Sequence, residues 1–112
     1  MKLIFFAALL SLLLAGKCNK DEKTPDCVTQ RIEQIKTQPK WNPPAEVNQY
    51  SYKGRNVYLF NSPCCDQYNE LIDANCNSIC APSGGITGKG DGKCADFSST
   101  AIHVRLVWKD DR

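Results

Sequence analysis

Histidine is almost missing from this chain of 112 residues, which has His103 and no other. A Ser- or Cys-based hydrolase would have only that imidazole to use, and zinc sets built on several histidines are excluded. No Cys-x-x-Cys occurs, so a familiar spacing for a low-pKa redox thiol is missing too. Beyond residue 15 no segment is apolar enough to span a bilayer, for which a helix needs roughly 20 residues. There is also no surplus of one charge. Of the 14 Lys and Arg, two are Lys2 and Lys17, and the other 12 balance 12 Asp and Glu. A nucleic-acid partner is therefore not expected, since such partners call for a basic stripe.

What is present begins with Lys2 and an apolar run over residues 3–15 that is interrupted only by Ser11 and ends at the small residues Ala15 and Gly16. A positive start, a short apolar stretch and a small-residue exit form the layout of a signal peptide. The run is too short for a permanent transmembrane helix.

Leu14-Ala15-Gly16-Lys17-Cys18 resembles a bacterial lipobox, in which the cysteine is acylated before the signal is cut away. Lys17 departs from that pattern, which has Gly, Ala or Ser before the cysteine, and ordinary cleavage after Gly16 is the rival. Asn19-Lys20-Asp21-Glu22 resembles the stretch that Bacteroidota place behind a lipidated cysteine to send lipoproteins to the outer face. Parity agrees. Seven cysteines are odd, and setting Cys18 aside leaves an even set. The chain is thus expected to comprise a signal peptide (1–17), a lipidated polar tether (18–24) and one disulfide-rich domain (25–112) in the cell envelope. The expected membrane is the outer one, with the domain exposed at the surface.

In an oxidising compartment Cys27, Cys64, Cys65, Cys76, Cys80 and Cys94 read as a disulfide framework. Six cysteines allow fifteen connectivities, which sequence alone does not resolve. Cys64 and Cys65 are expected to join different partners, because neighbouring side chains of an extended segment point to opposite faces. A zinc site on the same residues is the weaker reading. Cys76 and Cys80 have a workable spacer, but adjacent Cys64 and Cys65 do not.

Hydropathy patterning predicts an α+β fold, with an N-terminal helix packed on a small, mainly antiparallel sheet. The helix should cover residues 25–37, with Thr24 capping it, Pro25 in its first turn and Val28, Ile32 and Ile35 on one stripe. Pro39, Pro43 and Pro44 prevent its continuation. Residues 47–52 and 55–60 should form a hairpin through Lys53-Gly54, setting Tyr50 opposite Val57 and Asn48 opposite Leu59. A second hairpin is expected to run from residues 68–72 to 78–81 through an Asx-rich turn. Ile102, Val104, Leu106 and Trp108 alternate with His103, Arg105 and Val107, which predicts a half-buried strand with His103 and Arg105 together on its outer face.

Residues 32–36, Asn42-Pro43-Pro44-Ala45, Cys64-Cys65-Asp66-Gln67-Tyr68, Ala81-Pro82-Ser83-Gly84-Gly85 and the stretch from Gly88 to Cys94 together resemble a family of small Bacteroidota lipoproteins known only as a domain of unknown function. The resemblance covers nearly all of the processed chain. It implies an envelope location and carries no activity.

Three candidate sites can be weighed. Gly84, Gly85, Gly88, Lys89, Gly90, Asp91, Gly92 and Lys93 form a loop whose backbone could approach a partner closely. It fails the Walker A spacing, and neither Lys89 nor Lys93 is followed by Ser or Thr. Asp73, Asn75 and Asn77 begin like a calcium loop, but Ser78 and Gly84 occupy the positions of its invariant Gly and bidentate Glu. His103 has a surface position by alternation. No catalytic residue, metal or cofactor is expected. The leading expectation is a non-catalytic envelope lipoprotein that binds or spaces an unknown protein or small ligand outside the cytoplasm. A small secreted protease inhibitor is the alternative, and a thiol redox or hydrolytic enzyme comes third.

Overall fold

The computed structural model describes residues 23–112; the expected signal peptide, Cys18 and most of the tether lie outside them. Helix α1 spans Asp26–Lys36 and buries Val28, Ile32 and Ile35, the stripe expected from helical spacing. Thr24 does not cap it. Pro25 occupies the cap position, which moves Thr24 one residue further out, and the Pro25 carbonyl accepts the N–H groups of Val28 and Thr29. The Thr24 hydroxyl instead accepts a hydrogen bond from Arg105 Nη2 at 2.9 Å, tying the start of the helix to the last strand.

The far end of α1 is closed by the end of the chain. Arg112 Nη1 donates to the carbonyls of Lys36 and Gln38 at 3.1 and 2.9 Å, placing a cation where the helix dipole is negative. Buried Asp110 holds that guanidinium at 2.7 Å. Hydrogen bonding from Arg112 lowers the Asp110 pKa to about 2.

Five strands follow: β1 (Glu46–Tyr52), β2 (Arg55–Phe60), β3 (Tyr68–Asp73), β4 (Ser78–Gly84) and β5 (Ile102–Lys109), with a one-turn helix α2 (Phe97–Thr100) before the last. They form one antiparallel sheet in the order β4-β3-β2-β1-β5. The first hairpin has the expected register, with Tyr50 opposite Val57 and Asn48 opposite Leu59. Lys53 and Gly54 both take positive φ, as a two-residue turn that matches strand twist requires. The second hairpin is also present. Its β4 continues through Pro82, which is tolerated because β4 is an edge strand.

The sheet has a core on each face. Beneath α1 lie Val47, Tyr58, Phe60 and Ile72 with the helix stripe, and Cys27 and Cys76 pack alongside. On the opposite face Tyr52, Val57 and Leu71 are covered by Phe97, Cys80 and Cys94. Phe97 meets the rings of Tyr50 and Tyr52 edge-on, with centroids 4.9 and 5.2 Å away. The Tyr52 hydroxyl donates to Asp96 at 2.6 Å, which raises the tyrosine's pKa and lowers that of the aspartate.

β5 corrects the alternation read from sequence. Its pairing with β1 shifts register twice, and His103 lies opposite Tyr50 whereas Arg105 lies opposite Gln49. Adjacent positions of β1 point to opposite faces, so the bulge at Val104 separates His103 from Arg105. Ile102, Val104 and Leu106 are exposed on this second edge of the sheet.

Candidate binding groove

The six cysteines expected to form bridges do so as Cys27–Cys76, Cys80–Cys94 and Cys64–Cys65. The third pair corrects the expectation of different partners for Cys64 and Cys65. That expectation assumed extended backbone, but residues 63–66 turn and Cys65 has φ 62°, which brings adjacent side chains to one side. The other two bridges join distant elements: α1 to the β3–β4 turn, and β4 to the segment leading into α2. Cys18 lies outside the described residues.

The glycine loop is built largely against the protein itself. Gly90 N–H bonds the Gly84 carbonyl, and Asp91 N–H bonds the Ala81 carbonyl. A Cβ on Gly90 would stand 2.0 Å from the Ala81 oxygen, and one on Gly84 would stand 2.5 Å from the Gln67 oxygen. Close backbone approach is therefore required inside the fold. Replacing Gly90 disturbs the fold itself and is no neutral probe of the loop. The Asp91 carboxylate accepts the Lys93 N–H at 2.9 Å, which lowers its pKa and closes a local turn. Gly88, Lys89, Gly92 and Lys93 are exposed, and Gly85 lies against the Tyr68 ring. At the tip Ile86 is 89% exposed.

Asp73, Asn75 and Asn77 form an Asx turn. Asp73 accepts the N–H groups of Asn75 and Asn77, both at 2.9 Å, so its carboxylate is turned into the hairpin and its pKa lowered. Among the described residues no group of three or more His, Cys, Asp or Glu is placed to hold a metal ion. His103 bonds Asn48 through Nε2 at 2.8 Å and packs edge-on against Tyr50. Among the described residues no hydroxyl or thiol is hydrogen-bonded to it.

A groove of about 260 Å³ opens between α1, the α1–β1 connection and the start of β3. Arg31, Gln34 and Gln38 come from the helix side, Trp41 from the connection, and Ser62, Pro63, Tyr68 and Glu70 from the segment entering and forming β3. Arg31 pairs with Glu70, and its guanidinium lies 4.6 Å from the centre of the Phe60 ring. Trp41 donates its indole N–H to Gln38 Oε1 at 2.9 Å. Tyr68 is 54% exposed, and it also borders a second cleft beside the glycine loop, with Asp66, Gly85 and Ile86. The Cys64–Cys65 turn joins these two clefts along the chain.

Sequence reasoning did not find this groove. Its lining comes from three separated segments, none with a motif. The available signals were a tryptophan stranded among prolines at Trp41 and a tyrosine just after a cysteine pair.

A helix over one face of a five-stranded antiparallel sheet, stapled by three disulfides and bearing a small open groove, defines a compact α+β domain. Residues 33–110 match the domain of unknown function DUF6970, and the chain belongs to that family. No curated protein and no solved structure matches it.

Proposed function

We propose that this chain is a lipid-anchored, non-catalytic binding module of the bacterial cell envelope. In this reading residues 1–17 are removed, acyl chains on Cys18 hold the protein in the outer membrane, and the α1–β3 groove takes the ligand. The carrying observation is where the groove lies relative to the tether. Gln34 is eight residues beyond Asp26, which at 1.5 Å per residue is about 12 Å further along the helix. Gln38 and Trp41 follow. A domain anchored just before α1 would thus present the groove away from its point of attachment. Two or more acyl chains on one cysteine would hold it stably, where one chain gives only marginal binding.

Intact mass of the protein from the membrane fraction tests the anchor. The expected species begins at Cys18 and carries lipid, and Lys17→Gly should speed its appearance. An unmodified soluble species beginning at Lys17 would overturn the lipoprotein reading.

One observation favours a second reading, a protease inhibitor. Ile86 projects from a loop whose base is held by backbone bonds and by the Cys80–Cys94 bridge, and a preorganised loop of this kind loses little entropy on inserting into an active site. Assays against a panel of extracellular proteases separate the two. Inhibition lost in Ile86→Ala would replace the groove by the loop as the working surface.

A further inference from the structure

We infer that the ligand of the groove is a neutral carbohydrate. This rests on the groove being the binding site proposed above, and it adds the chemical class of what enters.

Among the described residues the only ionised groups lining the groove are Arg31 and Glu70, and they pair with each other. An anionic ligand would meet the Glu70 carboxylate beside Arg31, and a cationic one the Arg31 guanidinium beside Glu70. A neutral ligand leaves the pair intact and meets no opposing charge.

Gln34, Ser62 and Tyr68 make no side-chain hydrogen bonds among the described residues, and the Gln38 amide uses only its oxygen. Amides and hydroxyls present donor and acceptor together, as sugar hydroxyls do. A neighbouring cleft shows the contrast. It is lined by Glu46, Asn48, Asn61 and Asn69, and these side chains are already bonded to one another, to His103, to Ser83 and to backbone.

Trp41 and Tyr68 border the same small space, and a ring with a negative face is suited to the C–H face of a pyranose. A peptide would find less here. Strand β3 is hydrogen-bonded on both sides, so there is no open edge to extend, and the Arg31–Glu70 pair interrupts any apolar stripe.

The segment carrying Tyr68 is fixed before any ligand arrives. Cys64–Cys65 closes its turn, Asn69 accepts the Ser62 N–H at 2.9 Å, and the Gln67 carbonyl accepts the Gly85 N–H at 3.0 Å. Fixed walls lessen the ordering cost that weakens most sugar binding.

The chain has two tryptophans, Trp41 and Trp108, so Trp108→Phe makes fluorescence report on the groove alone. The full chain as processed by the cell, carrying Trp108→Phe, would be titrated with neutral tetraoses of glucose, mannose, xylose and N-acetylglucosamine, with polygalacturonate, and with a tryptic digest of casein. The expected result is saturable quenching by at least one neutral tetraose. Gln34→Ala should weaken it about three- to tenfold, the loss of one or two hydrogen bonds, without changing the melting temperature. Trp41→Ala, followed by calorimetry, should abolish the binding. Quenching by the peptides or polygalacturonate alone would overturn the carbohydrate assignment and leave the groove as a binding site. Sugar binding unchanged in Gln34→Ala and Trp41→Ala would place the site elsewhere and overturn both. A silent Trp41 with every probe would overturn the carbohydrate assignment.

Discussion

The two faces of the sheet reach burial by different means. One is closed by α1, an 11-residue helix whose apolar stripe meets Val47, Tyr58, Phe60 and Ile72, and the Cys27–Cys76 bridge ties that helix to the β3–β4 turn. The other is closed by a largely irregular segment that supplies Phe97 from a four-residue helix, with Cys80–Cys94 fastening it to β4. A regular helix satisfies its own backbone and needs only a face to pack on. An irregular segment needs specific contacts to stay in place and exclude water, and here a disulfide and the Tyr52–Asp96 hydrogen bond fix it just before Phe97. The comparison shows what each bridge is for. Two of them join layers, and the third, Cys64–Cys65, joins nothing distant.

The largest expected effect sharpens this contrast. The loop-closure model gives about 4 kcal/mol for Cys27–Cys76, closing 49 residues, and about 3 kcal/mol for Cys80–Cys94, closing 14. Alanine pairs at these positions should lose stability in that order in denaturant titrations. Ala at both Cys64 and Cys65 should cost less than about 1 kcal/mol, since it closes no long loop. Amide exchange should rise selectively over residues 94–101 in the Cys80/Cys94 variant. Equal losses from all three pairs would break the distinction between layer-joining and local bridges.

A smaller effect is expected where the glycine loop covers the β4 edge. Gly90→Ala drives a Cβ into the Ala81 carbonyl and should cost at least about 2 kcal/mol. Gly88→Ala has open space around it, and only its φ of 78° opposes the substitution, at about 1 kcal/mol. Thermal melts of the two variants test whether the loop is scaffold on one side and free surface on the other.

The last effect concerns the lock on the helix face, and it is a pH dependence. Folding lowers the Asp110 pKa from 3.8 to about 2, so the unfolded chain takes up the proton first as pH falls. The contribution of this group is complete above about pH 5 and drains away as pH falls towards 2. Asp110→Asn should melt lower at pH 7 and lose less between pH 5 and 2 than the parent. Parallel curves for the two proteins would remove Asp110 as the acid-sensitive contact of Arg112.

Local features of the chain were legible wherever neighbouring residues alone decide the outcome. The Val28, Ile32 and Ile35 stripe, the Lys53-Gly54 turn with its register, and the Asx turn at Asp73 each follow from spacing or from a single residue's conformational range. β5 was misread because a bulge at Val104 is invisible in an alternating pattern that looks unbroken. The Cys64–Cys65 pair was misread because alternation holds only for extended backbone, and Cys65 is in a left-handed turn. α2 gave no signal at all, since four residues are fewer than two helical turns.

By itself the sequence determined the α+β class, the helix stripe, both hairpins and the commitment of six cysteines to bridges, because periodicity, turn chemistry and parity act over a few residues or over simple counts. Only the tertiary structure decided which cysteines pair, that Arg112 caps α1, and that Arg31, Trp41 and Tyr68 border one groove. These are contacts between segments tens of residues apart, and they exist only once the backbone has brought the segments together.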